Sequence, residues 1–433
     1  MKLQITGLLF FTTAAVLLTA CGGNDEPASS PIPYPVPTST VTAAPAPILA
    51  TATAPAHIPI PTGALTEGPR PGFWNSQSYL HNVILRVVNV SPDWMAFASL
   101  GGWPTAVYPI KESGVLKYFE VAIWEETLSV NLYEFPNDHD SRYGSEGSVT
   151  DEPQLVTEKQ QIAHREQYLI KKYIDMPAIP QHSDQSRFDK TVERSKFLES
   201  TFMDIASYLV DRYPDSDHHL VYSGHGGPGG RLFAASMFKQ DAYGFLEFWS
   251  QSLGRPLGVI DMGGPCNKGS FADLENFCKF VRYFIASDLP NGGYSNDDWT
   301  IEKHQETDPD IRYHDLFASH DTLEAVLKSR IDLRRKDYEY SRTNMVTNQV
   351  AQANYLYSCE AFSEFQPEFR SFFTEAGVDQ PTHEDVYQFM IDNQAPSDLI
   401  ALFDQVFVHK TDNRDFFTWS SVANGMLLIM ESY

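Results

Sequence analysis

A histidine and a cysteine, 41 residues apart in the chain, have the side chains and surroundings that nucleophilic catalysis requires. Cys266 carries a thiol, which is mostly protonated at neutral pH and needs a neighbouring base before it can attack a carbonyl carbon. His225 can be that base. Glycine on both sides of His225 lets the backbone approach a substrate closely. The amides of Gly226 and Cys266 are therefore candidate donors to a developing oxyanion.

Both residues follow short apolar runs that predict buried strands. Residues 219–222 lead almost directly to His225, and residues 257–260 come shortly before Cys266. Amphipathic helices are predicted around these strands from apolar residues at helical spacing: Leu198, Phe202, Ile205 and Leu209; Leu246, Trp249 and Leu253; and Phe271, Leu274, Cys278, Val281 and Ile285. Alternating strands and helices predict an α/β fold with a parallel sheet covered on both faces. Because ligands bind beyond the carboxyl ends of such strands, we expect His225 and Cys266 to face one another.

The rest of the chain predicts further elements around this unit. Additional strands are predicted at 83–88, 118–123 and 129–133, and a polar, irregular stretch at 137–181. From about residue 309 the pattern becomes mainly helical, with helices predicted near 323–327, 350–362 and 422–430. This last region carries no catalytic signature. It could pack on the sheet, complete a substrate cleft or recognise a partner.

The two chemical segments resemble those of caspase-like (clan CD) cysteine peptidases. Residues 222–226 (YSGHG) resemble the His-Gly block of that clan, and residues 264–271 (GPCNKGSF) are similar to the nucleophile segment of gingipain. Residues 285–294 (IASDLPNGGY) look more like clostripain. The resemblance covers roughly residues 80–300. It implies a caspase-like sandwich in which His225 is the general base and acid, Cys266 is the nucleophile and the Gly226 amide belongs to the oxyanion hole.

The resemblance has departures, which leave a second interpretation open: the Leu274-Glu275 pair comes later after the cysteine than in clostripain, and the Asp before the cysteine is displaced. Clostripain has Asp-Ala-Cys at its nucleophile, whereas in this chain Asp261 stands five residues before Cys266. The alternative to a cysteine endopeptidase is therefore an inactive caspase-like protein that binds peptides or an envelope partner. Clostripain prefers basic residues before the scissile bond and uses acidic residues to select them. Asp261 and Asp288 match that role loosely, so a preference for basic substrates is a further expectation.

Composition limits the class of protein. The 433 residues include 32 basic and 56 acidic side chains, for a formal net charge of −24. Such a balance excludes nucleic acid as a partner, because duplexes are bound through clustered Lys and Arg. It is compatible with attraction of basic peptides. The hydrophobic content of 42% is ample for a sizeable core.

The N-terminal composition predicts export and a lipid anchor. A short positive start and an apolar run end in Leu18-Thr19-Ala20-Cys21, which resembles the lipobox of bacterial lipoproteins, with Cys21 as the acylated residue. An ordinary signal peptide with an incidental cysteine is the alternative. The chain then divides into a signal peptide (1–20), a Pro/Ala/Ser/Thr-rich tether (21–62), the peptidase domain (63–308) and the helical C-terminal region (309–433). The predicted location is the bacterial cell envelope, at the outer membrane or cell surface.

Other motifs are weaker, and no cofactor is expected. Residues 138–140 (DHD) leave calcium binding open, with a solvated acidic loop as the simpler interpretation. Residues 224–229 match the dinucleotide glycine pattern, but Pro228 removes an amide that would face phosphate. Cys278 lies on an apolar helix face and is either a core residue or the disulfide partner of Cys359.

Overall fold

The computed structural model describes residues 82–90, 116–134 except 126, 169–179, 185–263 except 225, 234 and 235, 267–289, 313, 316–317, 319–344, 353–377, 384–412 and 424–429. The signal peptide, tether and Cys21 of the sequence prediction lie outside these residues. The strands, in chain order, are β1 (Asn82–Val90), β2 (Leu116–Trp124), β3 (Ser129–Glu134), β4 (Leu169–Tyr173), β5 (Asp217–Ser223), β6 (Leu257–Asp261), β7 (Val281–Ala286), β8 (Ala353–Ser358), β9 (Glu384–Asp385), β10 (Phe407–Asp412) and β11 (Leu427–Leu428).

Nine strands of the described chain form one central sheet, in the order β10-β8-β7-β6-β5-β1-β2-β3-β4. The five middle strands, from β7 to β2, are parallel, and the strands at both edges are antiparallel. The predicted strands at 83–88, 118–123, 129–133, 219–222 and 257–260 are confirmed as β1, β2, β3, β5 and β6. Most residues of these runs are apolar and buried, as expected of strands covered on both faces.

Helices cover both faces of the sheet. They are α1 (Gln185–Arg212), α2 (Lys239–Leu253), α3 (Phe271–Phe277), α4 (Leu323–Asn344), α5 (Cys359–Glu375), α6 (Val386–Asp392) and α7 (Ser397–Val406). Along β1, Val83 and Leu85 pack into one core with Phe202 of α1, while Ile84 between them packs into a second core with Val326 of α4. Alternate side chains of the strand therefore enter opposite layers. The predicted α/β sandwich with helices on both faces is confirmed.

Three predicted helices are wrong in whole or in part. The helix predicted to reach Ile285 ends at Phe277, and residues 281–286 form β7. Residues 353–358 form β8, so a helix begins only at Cys359. The segment near 422–430 contains the short strand β11 instead of a helix. In each segment the apolar spacing also suits a strand, and pairing with the sheet or with β9 decides between the two.

A disulfide joins Cys278, directly after α3, to Cys359, the first residue of α5, with a Cα–Cα distance of 4.8 Å. The sequence left open whether Cys278 is a core residue or a disulfide partner, and the structure selects the disulfide. The bond therefore links α3 directly to α5. The strand β7 follows α3 in the chain and pairs with β8, which precedes α5, so the disulfide and the sheet hold the same two segments together.

Candidate functional site

The register of β5 and β6 brings the two chemical segments to one edge of the sheet. Val221 of β5 pairs with Asp261 of β6, in parallel. His225 follows Val221 by four residues and Cys266 follows Asp261 by five. Adjacent strands lie about 4.8 Å apart. His225 and Cys266 themselves lie outside the described residues, so the site is built here from the segments on either side of them.

The segment after His225 is a glycine turn. Gly227, Gly229 and Gly230 have φ angles of +141°, +97° and +74°. Residues that have a side chain rarely adopt these φ angles, so glycine is required for the turn. Gly224, directly before His225, is tightly packed, because an added Cβ would lie 2.4 Å from the hydroxyl oxygen of Tyr222. The backbone path on both sides of His225 is thus set by residues without side chains.

The Gly226 amide is available as a donor. Gly226 is half-buried, and within the described part of the chain its N–H makes no hydrogen bond. Backbone amides without internal acceptors are suited to stabilising an oxyanion. The oxyanion role that the sequence predicts for the amides of Gly226 and Cys266 stays a prediction.

The segment after Cys266 is held between β7 and the end of the chain. Asn267, in the left-handed region with a φ of 52°, donates its amide to the Leu289 carbonyl at 3.0 Å. Gly269 donates to the Ser287 carbonyl at 2.7 Å and accepts from the Leu427 amide at 2.9 Å. A Cβ on Gly269 would lie 2.9 Å from the Asp288 nitrogen, so this contact requires glycine. The C-terminal strand β11 therefore supports the segment after Cys266 directly.

A lysine joins the two segments. The Lys268 ammonium donates to the carbonyl of Gly227 at 2.9 Å and to the carbonyl of Arg231 at 2.6 Å. It also forms an ion pair with Asp273 of α3 at 2.7 Å. Lys268 and Gly227 stand two residues after Cys266 and His225 respectively. The segments that follow the two chemical residues are thus in direct contact.

Asp261, at the end of β6, forms a buried ion pair with Arg330 of α4. Its carboxylate accepts from the Arg330 Nε at 2.6 Å and from the Tyr313 hydroxyl at 2.6 Å, and it accepts the Gly263 amide at 2.9 Å. The residue is only 1% exposed. These contacts connect the C-terminal end of β6 to α4, which covers the face of the sheet opposite α1.

Asp288 is also internal. It is 2% exposed, and its carboxylate accepts the Gly425 amide at 2.8 Å, which fastens the C-terminal segment to the exit of β7. The observed contacts of Asp261 and Asp288 are therefore structural. Their role in binding a basic substrate side chain stays a prediction from the resemblance.

The sequence patterns predict no role in the site for four residues that the structure places there: Lys268, Asp273, Arg330 and Tyr313. One signal was available for Asp273, because Ser270 and Asp273 have the spacing of a helix N-cap pair. In the structure the Ser270 hydroxyl does accept the Asp273 amide at the start of α3. Nothing local marks Lys268 or Arg330, since a buried cation is recognised only by the partners that the fold brings to it.

Among the described residues, no group of His, Cys, Asp and Glu side chains has an arrangement that could hold a metal ion. Residues 138–140, the calcium candidate of the sequence analysis, lie outside this part of the chain. None of the helices in the described residues is both long enough and apolar enough to traverse a lipid bilayer.

Comparison with known proteins supports the fold. No family model matches the sequence, and no curated protein matches it. The chain is similar to the structure of a secreted C11 cysteine protease from Bacteroides thetaiotaomicron in complex with an irreversible peptide inhibitor, with 10% identity and a TM-score of 0.50 over 81% of this chain and 93% of that one. Another structure of a secreted C11 cysteine protease from that organism, called iotapain, has 10% identity and a TM-score of 0.49 over 80% and 92% of the two chains. The chain has the α/β fold of the C11, or clostripain-family, cysteine proteases.

Proposed function

We propose that the chain is a cysteine endopeptidase that hydrolyses peptide bonds through His225 and Cys266. The contact between the Lys268 ammonium and the Gly227 carbonyl carries the proposal, because it joins the segments that follow the two residues. The parallel pairing of β5 with β6 supports it, as does the likeness in fold to the C11 protease that binds a peptide inhibitor. Peptides or proteins are accordingly the proposed substrates.

In the proposed reaction, His225 accepts the proton of the Cys266 thiol, and the thiolate attacks the carbonyl carbon of the scissile bond. The amides of Gly226 and Cys266 donate to the oxyanion of the tetrahedral intermediate. His225 then donates its proton to the leaving amine, and the C–N bond breaks to leave a thioester on Cys266. Water, deprotonated by His225, hydrolyses this acyl-enzyme and restores the thiol.

Cys266→Ala tests the endopeptidase directly. We expect the full chain, purified in detergent, to cleave members of a fluorogenic peptide library under mild reducing conditions. The variant should lose activity by about 10³-fold or more, because the covalent route is removed. Lys279→Met, an exposed change after α3, should retain the parent rate and serves as the control. No cleavage by the parent, or equal cleavage by parent and Cys266→Ala, would contradict the proposal.

The same library measures specificity. A preference for Arg or Lys before the scissile bond is proposed from the resemblance to clostripain, with Asp261 and Asp288 as its candidate determinants. Equal rates for peptides with basic, neutral and acidic residues at that position would refute this preference without affecting the proposed chemistry.

One observation favours a second candidate function, that of an inactive protein binding peptides or an envelope partner. In the Asp-Ala-Cys pattern of clostripain the Asp stands two residues before the nucleophile, where this chain has Gly264, and the carboxylate of the nearest preceding Asp, Asp261, forms an ion pair with Arg330. Tight binding of library peptides that are never cleaved would favour this function.

We also propose that the protein is exported and anchored to the cell envelope through acyl chains on Cys21. The lipobox-like residues 18–21 support this proposal. The Cys278–Cys359 disulfide supports it further, because such bonds persist in oxidising compartments. Partitioning of the protein into detergent, compared with Cys21→Ala, tests the anchor.

A further inference from the structure

The turn after His225 and the segment after Cys266 are joined by a closed network of buried charges. The Lys268 side chain is 4% exposed and that of Asp273 is fully buried. The three N–H donors of the ammonium have three acceptors, namely the Asp273 carboxylate and the carbonyls of Gly227 and Arg231. All three N–H donors of the ammonium are therefore hydrogen-bonded, and two of them donate to carbonyls in the turn that follows His225.

Asp273 completes the network from the other side. One of its oxygens accepts from Lys268 and from the Gly230 amide at 2.8 Å. The other accepts from the Ser270 hydroxyl at 2.5 Å and from the Gly229 amide at 3.3 Å. The carboxylate thus binds the turn after His225 through two backbone amides, while its own helix, α3, begins five residues after Cys266.

Burial makes this arrangement specific. Removal from water lowers the pKa of the Lys268 ammonium, while the Asp273 carboxylate opposes that effect. A buried charge without its partner is costly, so the two residues are stable only together and only in this geometry. Glycine residues can adopt several backbone conformations, and the hydrogen bonds of the network favour the one that this turn has.

We propose that Lys268 and Asp273 are positioning residues that hold the turn carrying His225 in register with the segment carrying Cys266. This inference rests on the proposed function. The pair acts through the backbone of residues 227–231, so it aligns the base with the thiol without itself taking part in bond making. A displacement of about 1 Å at a reacting group can reduce a rate by about 10²-fold. The network therefore governs the chemical step more than the binding of substrate.

The test separates positioning from stability with a single and a double variant. Lys268→Met leaves Asp273 as a buried, unpaired carboxylate and should lower both the unfolding midpoint and kcat. Lys268→Met with Asp273→Asn removes both charges and should recover most of the midpoint. It should still lower kcat by about 10²-fold, with KM changed by less than about threefold. Lys279→Met is the matched control, since it removes an exposed charge two residues after the end of α3 and should leave kcat unchanged. Recovery of kcat together with the midpoint would overturn the inference.

A second readout needs no substrate. The rate at which iodoacetamide alkylates Cys266, followed peptide by peptide with mass spectrometry, reports the thiolate fraction at each pH. With His225 alongside, the alkylation midpoint of the parent should lie below that of a free thiol, about 8.5. In the double variant it should move toward the value found in His225→Asn. A parent that alkylates in this way but cleaves no peptide would refute the proposed function alone. Identical alkylation profiles in the parent and the double variant would overturn the positioning role.

Discussion

His218 lies wholly inside the protein, on β5 next to the turn that begins the strand. Its ring nitrogen Nε2 lies 2.9 Å from the Tyr213 carbonyl, and its Nδ1 accepts the indole N–H of Trp249 at 3.1 Å. These partners require a neutral ring with the proton on Nε2. Burial lowers the pKa of His218 to about 4. The neighbouring ring of His219, whose Nε2 contacts the Asn82 side chain, has its pKa lowered well below the usual value by burial as well.

These depressed pKa values predict acid sensitivity. The unfolded chain binds protons on His218 near pH 6.5, whereas the folded protein does not bind them until about pH 4. The contribution of the neutral ring to stability is therefore complete above pH 6.5 and declines as the pH falls toward 4. In urea unfolding, the free energy of the parent should decrease between pH 7 and 4.5. On the order of 2 kcal/mol of that decrease should be absent in His218→Asn. Parallel pH profiles for parent and variant would refute this assignment.

At the scale of elements, β7 and the two helices beside it hold the site together. The carbonyls of Leu289 and Ser287, just after β7, accept the amides of Asn267 and Gly269. The disulfide joins Cys278 and Cys359, which are 81 residues apart and stand before and after β7 in the chain. Periodicity alone assigned Val281 and Ile285 to a helix, because their spacing suits both structures. Pairing of β7 with β6 on one side and β8 on the other makes it a strand.

Removal of the disulfide should destabilise the fold. Without the cross-link the unfolded chain has more conformational entropy. For a loop of this length, the chain-entropy relation predicts that the free energy of unfolding falls by about 4.5 kcal/mol. We expect Cys278→Ser with Cys359→Ser to lower the free energy of unfolding in guanidinium by an amount of this order. The parent treated with strong reductant is the control and should approach the double variant. Unchanged stability of the double variant without reductant would contradict a structural role for the bond.

At the scale of the molecule, the strands that lead to His225 and Cys266 and the C-terminal region share one sheet. β8 and β10, from beyond residue 309, extend the sheet next to β7, and β11 pairs its backbone with the segment after Cys266. The C-terminal region thus packs on the sheet, which was one of three roles open from the sequence. The net charge of −24 belongs to the chain as a whole and is compatible with basic peptide substrates.

The proposed anchor is also a property of the whole molecule. Two or more acyl chains hold a protein on a bilayer stably, whereas one does not. The protein expressed in a bacterial host should therefore partition into the detergent phase of Triton X-114, and Cys21→Ala should move to the aqueous phase. Cys266→Ala, which keeps the lipobox, is the control and should partition like the parent. Detergent partitioning of Cys21→Ala would refute the acyl anchor.

The sequence by itself determined the central part of the fold, because β-branched apolar runs and helical apolar stripes are local patterns that burial imposes on each element. It also placed the histidine and cysteine segments at neighbouring strand ends, since parallel strands present their carboxyl ends together. Only the tertiary structure decided that 353–358 is a strand, that Cys278 pairs with Cys359, and that Arg330 neutralises Asp261. It alone showed Lys268 bound to the turn after His225. Each of these contacts joins residues far apart in the chain, and a buried charge or thiol shows its role only through the partner that folding brings to it.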